Sequence, residues 1–469
     1  MRDFNVIKLL CSASCFALIL TSCNKPFKNN DFTAYFGGEV TNPTNPYILF
    51  CKDAMVLDTI RLKKDNTFFI QFDSLTPGLY TFKNEPEYQY VYFEKNDSIM
   101  VRINSNDFDE SIVFCGRGDE KNNFLMELYL KNENDKRKIF DVFEFDYPQF
   151  KKNIDSAYQS KQAFYNSKKE DLKWSADFDK YAKASLDFSY LSKKEIYPIV
   201  HQMRTGNNLK KTLPKDFYDY RKTIDFNDLK LTNYSPFVKY LTHMLNNMAM
   251  QEDLSNKSET QKALEINIKK LNIADTLFKN EAIKNTILNN IAFMYLLEDQ
   301  NILNNKKFLD KYHTLSTDNS QQNEILKIGN SIQLLKNGNP LPSVSVIDQN
   351  KKETSIQSQI KRKTVIFFWT ENLESHLIAA HKKILEFQSR HRDYDFIAIN
   401  VDKNQENWKK SLANYKFDGI KELRATNFED IKEKWVINKI HRTMIINGDG
   451  TIHNAFASVF DMNFEKNLD

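Results

Sequence analysis

Chemistry in this 469-residue chain would have to come from five cysteines, eight histidines and the carboxylates near them. A cysteine thiolate attacks disulfides and binds metals, most readily where a cation or a helix N-terminus lowers its pKa. The five are Cys11, Cys15, Cys23, Cys51 and Cys115; none forms a Cys-x-x-Cys, and none follows Cys115. His201, His243 and His313 have no ligand partner at i+3 or i+4, so they suggest no metal site. The other five, His376, His381, His391, His441 and His453, all follow residue 375. His376 and His381 stand at i, i+5, on different faces of a helix, which argues against a shared ion. Ser375 adjoins His376, but adjacent residues at a helix start diverge, and no Gly-x-Ser-x-Gly elbow accompanies them. Gly116-Arg117-Gly118 lacks a following Gly-Lys-Ser, and Walker, Rossmann and kinase motifs are absent. Lys and Arg number 66 against 62 Asp and Glu, too even a balance for a dedicated nucleic-acid binder. With 41% hydrophobic and 27% charged residues the chain is globular, and its length predicts about three domains.

The N-terminus reads as an address. Arg2 and Lys8 flank the start of an apolar run from Val6 to Leu20, a secretory signal too short to span a bilayer as a mature helix. It ends in Leu20-Thr21-Ser22-Cys23, which resembles the bacterial lipobox. The resemblance implies removal of residues 1–22 and acylation of Cys23, palmitate included, as the first mature residue. Two or three acyl chains hold a protein stably on a membrane. Residues 23–31 are then a lipid-anchored tether in the bacterial cell envelope, facing the periplasm. Asn24 to Asn30 shows no acidic run that would signal export to the outer face. With Cys23 lipidated, Cys51 and Cys115 remain in an oxidising compartment, where a disulfide and two buried free thiols both fit.

The chemistry-bearing residues sit on three kinds of segment, so the fold class expected is multidomain α+β. Residues 32–117 alternate with period two across eight runs, broken by Lys64-Asp65-Asn66, Thr76-Pro77-Gly78 and Lys95-Asn96-Asp97, which predicts an antiparallel β-sandwich. Residues 118–337 change to helical period. Ser235-Pro236 opens a helix striped by Phe237, Leu241, Met244, Leu245 and Met248, and Ile283, Ile287, Ile291 and Met294 form another stripe. Asn337 to Pro342 breaks the last helix. Residues 338–469 then read as an α/β layer. Strands are expected at Ser343–Ile347, Thr364–Trp369, Phe396–Val401, Arg442–Asn447 and Thr451–Ala457. Leu377, Ala380, Ile384 and Phe387 share a helical face, and Gln405–Tyr415 and Phe428–Trp435 are further helices.

This last segment resembles the thioredoxin-like domains of the TlpA/ResA class and the peroxiredoxin-related AhpC/TSA group. The frame that carries the resemblance is Pro342 to Asp348, the strand Val365 to Trp369, and the Ile446 to Gly450 hairpin. The whole chain resembles Bacteroidetes lipoproteins in which such a domain follows a small β domain. In that family the strand leads into Cys-Gly-Pro-Cys at a helix start, facing an Ile-Pro-Thr-Thr loop with a cis-proline. Here the two cysteine positions hold Leu373 and His376, with Glu374 and Ser375 between, and the loop reads Ile440-His441-Arg442-Thr443. Neither leucine nor histidine can form a mixed disulfide. The resemblance therefore implies a retained fold, no redox site, and no cofactor or metal. The turn and the loop are left as a groove for a protein or peptide partner in the envelope. Two enzymatic alternatives stay open: a thiol–disulfide oxidoreductase using Cys51 and Cys115, or a metal-dependent enzyme at His376 and His441 with Glu371 or Glu374.

Overall fold

The computed structural model describes residues 32–469 except 54, 86, 210, 211, 251–255, 299, 300, 403, 416, 438, 439, 462, 463 and 469. The expected signal segment, Cys23 and the tether lie outside the described residues. The chain divides into two compact units, one ending at Phe217 and including Asn233–Tyr240, the other made of Tyr218–Thr232 and Leu241–Asp469. The division falls within the helical region.

In the first unit, eight strands follow one another: β1 (Ala34–Thr41), β2 (Tyr47–Lys52), β3 (Met55–Arg61), β4 (Thr67–Phe72), β5 (Gly78–Asn84), β6 (Glu87–Phe93), β7 (Ser98–Asn104) and β8 (Val113–Arg117). They form two four-stranded sheets, β4-β1-β7-β8 and β3-β2-β5-β6. Alternation turns Phe36 from one sheet and Phe50 and Phe82 from the other into a shared core, with Phe36 5.5 Å from Phe50 and 5.6 Å from Phe82. The expectation of a wholly antiparallel sandwich needs one correction: β1 and β7 pair in parallel, Tyr35 opposite Ser98. Between them the chain visits the second sheet as β2 and β3, returns as β4, and crosses again as β5 and β6 before β7 lies beside β1 in the same direction.

The Cys51–Cys115 bridge is not formed. Both thiols are free, Cys51 buried on β2 and Cys115 exposed on β8, and these strands belong to different sheets. Burial pushes the Cys51 thiol pKa up, with Lys83 opposing and Glu85 adding to the rise. The pair of buried thiols is also corrected, because Cys115 faces solvent. The long helices described in this unit are α1 (Asp119–Lys138), α2 (Tyr147–Leu172) and α3 (Ala176–Thr205), and α4 (Ser235–Ala249) is divided between the units.

The second unit continues with α5 (Glu259–Leu277), α6 (Glu281–Glu298), α7 (Ile302–Leu315) and α8 (Asn319–Leu334). Its sheet is built from β9 (Ser345–Ile347), β10 (Glu353–Ser355), β11 (Thr364–Trp369), β12 (Asp395–Asn400), β13 (Lys421–Ala425), β14 (Arg442–Ile446) and β15 (Ile452–Ser458), in the order β10-β9-β13-β12-β11-β14-β15. The central strands β11, β12 and β13 run parallel, and β14 lies antiparallel to β11, Phe367 opposite Thr443. All six residues of β11 are buried, as a strand covered on both faces requires. Helices α9 (Glu374–Arg390), α10 (Gln405–Tyr415) and α11 (Phe428–Trp435) follow the parallel strands, α9 turning Leu377, Ala380, Ile384 and Phe387 into the core. Among the described residues no helix is long and apolar enough to cross a membrane.

Candidate functional site

Strand β11 delivers the chain to the site. Beyond Trp369, Thr370 caps a single 3-10 turn, Glu371–Leu373, by accepting from the Asn372 N–H at 3.3 Å. The turn is pinned by Asp402, which follows β12. Its carboxylate accepts from the Thr370 hydroxyl, from the Glu371 N–H at 2.8 Å and from the Asn400 side-chain amide at 2.8 Å. An Arg424 guanidinium nitrogen in turn donates to the Asp402 carbonyl at 3.3 Å. Burial, and then the Asp402 charge, raise the Glu371 carboxyl pKa. Helix α9 starts immediately after this turn. Leu373 occupies its N-cap position, which supplies no capping hydrogen bond, and leaves its own side chain 47% exposed.

The structure places Glu374 and Ser375 on the exposed surface of the first helical turn, with the Tyr415 hydroxyl donating to Glu374. His376 is half-buried and packs against the Phe460 ring at 5.6 Å between centroids. Both of its ring nitrogens are shielded from solvent and have no hydrogen-bond partner among the described residues. Burial lowers its pKa first, then His441 and His381, so the imidazole is held neutral. His441 is therefore close enough for its charge to be felt at His376, as the frame implies, while its own side chain is exposed. Among the described residues, no group of three His, Cys, Asp or Glu side chains converges as a metal centre needs.

The loop side of the expected groove is narrower than the sequence suggests. Ile440 is half-buried, but Arg442 and Thr443 turn inward. The Arg442 guanidinium donates to the Ala455 and Val436 carbonyls, both at 3.2 Å, and lies over the Phe456 ring. Burial pulls its pKa down to about 10, and it stays charged at neutral pH. The Thr443 hydroxyl accepts from the Val459 N–H at 3.1 Å. Both residues stand on β14, between β11 and the edge strand β15, and every residue of that strand is buried. Of the residues expected to line a groove, Leu373, His376, Ile440 and His441 thus remain at least partly exposed, and Phe460 packs beside His376.

Beneath the turn lies a buried polar cluster. His381, on the core face of α9, is fully buried, and its ring stacks on Phe417 at 3.9 Å. Its Nδ1 sits 2.7 Å from the Leu377 carbonyl and its Nε2 3.0 Å from a Glu422 carboxyl oxygen, whose second oxygen accepts from the Trp369 indole at 3.1 Å. A carbonyl offers only lone pairs, so Nδ1 carries a proton, and a second proton bridges Nε2 and Glu422. Every polar atom of this cluster is satisfied, which a site buried this deeply demands.

Residues 361–452 match a family model described as thioredoxin-like. The C-terminal domain is thioredoxin-like. Solved structures similar to it include the thioredoxin domain of a thiol-disulfide oxidoreductase from Bacteroides vulgatus, 16% identical over 29% of this chain and 99% of that one, TM-score 0.26. A thiol:disulfide interchange protein from Bacteroides sp. is 18% identical over 26% of this chain and 80% of that one, TM-score 0.24. A thioredoxin-like protein from Bacteroides caccae is 13% identical over 53% of this chain and 88% of that one, TM-score 0.37. No curated protein matches the chain.

The neutral, shielded His376 gives the thioredoxin-like domain a pH signature. Its folded-state pKa lies below the free imidazole value of 6.5, so the unfolded chain binds the proton more readily. The stability involved is intact above about pH 6.5 and is lost as pH falls through the depressed folded value. The urea midpoint of the C-terminal transition is therefore expected to fall between pH 7 and pH 5 more steeply in the natural protein than in a His376→Leu variant. Parallel slopes would contradict this placement of His376.

Proposed function

We propose that this chain is a lipid-anchored, periplasm-facing protein of the bacterial cell envelope, whose thioredoxin-like domain binds a protein or peptide partner and performs no thiol–disulfide exchange. The observation that carries the reading is His376. It stands where the family frame puts a cysteine, and a neutral imidazole offers one N–H donor and one acceptor. Neither ring nitrogen has a partner among the described residues, and both are already screened from water. Exposed Leu373 and Phe460, the latter 45% exposed, supply apolar contact beside it. An extended peptide crossing this turn would bury the leucine and the phenylalanine, and a rotation of the imidazole would bring a ring nitrogen, now covered, to the peptide backbone. The peptide backbone carries both kinds of group.

The thiols support the non-redox half of the reading. Positions 373 and 376 hold no sulfur, and no cysteine follows Cys115. Buried Cys51 has a raised pKa, the reverse of what an attacking thiolate needs. The lipid anchor rests on Leu20-Thr21-Ser22-Cys23 alone. A disulfide-exchange assay on the purified chain, with reduction of insulin as readout, tests the chemistry. The rate is expected to equal that of buffer and to be unchanged in a Cys51→Ser/Cys115→Ser variant. Turnover above buffer that disappears in the double variant would establish the oxidoreductase alternative instead.

A further inference from the structure

From the first unit we infer that the tip of the β2–β3 hairpin is a membrane-contacting surface, which dips into the interfacial region of the bilayer that holds the Cys23 lipid. The inference rests on the anchor reading given above. Met55, Val56 and Leu57 are 67%, 48% and 46% exposed, three consecutive apolar side chains at the start of the sheet's edge strand. Isolated exposed apolar residues are ordinary, whereas a contiguous run at a hairpin tip calls for a partner surface.

The place of this tip relative to the tether decides what covers it. Nine residues, 23–31, separate the lipidation motif from the described chain, and they reach at most about 30 Å. The described chain begins at Phe32, whose carbonyl accepts from the Leu75 N–H at 2.8 Å, in the β4–β5 connection. That connection leads into β5, and the Lys52 ammonium at the end of β2 donates to the Leu79 carbonyl at 2.8 Å. On the neighbouring turn, Lys95 lies 4.8 Å over the Phe32 ring, itself 40% exposed. Tether entry, hairpin tip and the β6–β7 turn thus share one end of the sandwich. A lipid on Cys23 therefore keeps Met55, Val56 and Leu57 within reach of the bilayer.

The occupant is also constrained by direction. Met55 and Val56, paired in register with Lys52 and Cys51, leave opposite faces of β3, and the register shift that leaves Leu57 without a partner turns it out of strict alternation. A second copy pairing along the edge, or a flat protein partner, covers one side; a bilayer entered tip first surrounds both. Asp53, in the turn at the very tip with φ of 54°, limits the depth to the headgroup boundary. Three apolar side chains bind a membrane weakly when free in solution. The tether raises their effective concentration, and the contact then fixes which end of the sandwich faces the lipid.

The test places an environment-sensitive fluorescent amino acid at position 56, and in a separate protein at position 64. Lys64 is exposed beyond the far end of β3, about 20 Å away along the strand. One preparation is the full chain recovered with its native anchor and mixed into phosphatidylethanolamine–phosphatidylglycerol vesicles; its flotation reports on the anchor alone. The other starts at Cys23, carries Cys115→Ser, and is coupled through the Cys23 thiol to a maleimide lipid, so that membrane proximity does not depend on native acylation. In the coupled preparation, quenching by spin-labelled lipid is expected to be at least twofold greater at 56 than at 64. Met55→Ser/Leu57→Ser is expected to abolish the difference. Equal quenching at the two positions overturns the inference even if the native chain floats. So does a spectral change at 56 that follows protein concentration without vesicles, which would assign the tip to a second copy of the chain.

Discussion

Replacing Glu422 by leucine is expected to destabilise the C-terminal unit by about 3–5 kcal/mol, while Glu422→Gln is expected to cost less than about 1 kcal/mol. The difference follows from the proton count beneath the turn. Leucine removes the acceptor for the Trp369 indole and the partner of His381 Nε2, leaving two polar groups orphaned where no water reaches. Glutamine has nearly the same shape. Its carbonyl can accept from Trp369 while its amide donates to an unprotonated Nε2, with Nδ1 still donating to Leu377. Urea unfolding followed by tryptophan fluorescence would read both variants. If the glutamine variant were as damaged as the leucine one, the cluster would depend on a charge pair rather than on filled hydrogen bonds.

Asp402→Ala is expected to cost about 2–3 kcal/mol and to release the turn that carries Leu373. Three donors converge on that carboxylate from both sides of the turn, the Thr370 hydroxyl, the Glu371 N–H and the Asn400 amide. Alanine leaves all three to find water or remain unpaired. Amide hydrogen exchange at Glu371 and Asn372 is expected to accelerate at least tenfold, while the exchange of β11 amides changes little. Uniform acceleration through β11 would mean that Asp402 supports the whole sheet and not the turn in particular.

These two residues differ in how visible they are in the sequence. The β11 run Thr364 to Trp369 stands out because a strand buried on both faces must be apolar throughout. Helices α10 and α11 likewise begin and end where the pattern predicts. Strand β13 is not legible: Lys421-Glu422-Leu423-Arg424-Ala425 reads as a polar loop, yet Glu422 and Arg424 are both buried. What permits their burial is 41 residues away in His381 and 22 away at the Asp402 carbonyl, and local pattern holds no trace of either contact. His381 could have been found. It falls at i+4 from Leu377 and i−3 from Ile384, on the apolar face, so its ring had to enter the core. For Arg442 and Thr443 the strand period places both on β14, where they are buried, whereas the family frame assigns them to the loop that lines a groove. The parallel pairing of β1 with β7 is set by a partner about sixty residues distant, which strand periodicity does not encode.

The central claim is that the turn after β11 keeps its place in the fold as a docking surface. In-cell photo-crosslinking from position 373 tests it most directly, with Lys361, exposed before the opposite end of β11, as the reference position. A discrete crosslinked partner is expected from 373 and not from 361, and it is expected to vanish in a His376→Ala background. Capture of the same envelope proteins from both positions, or of nothing from either, would contradict the claim.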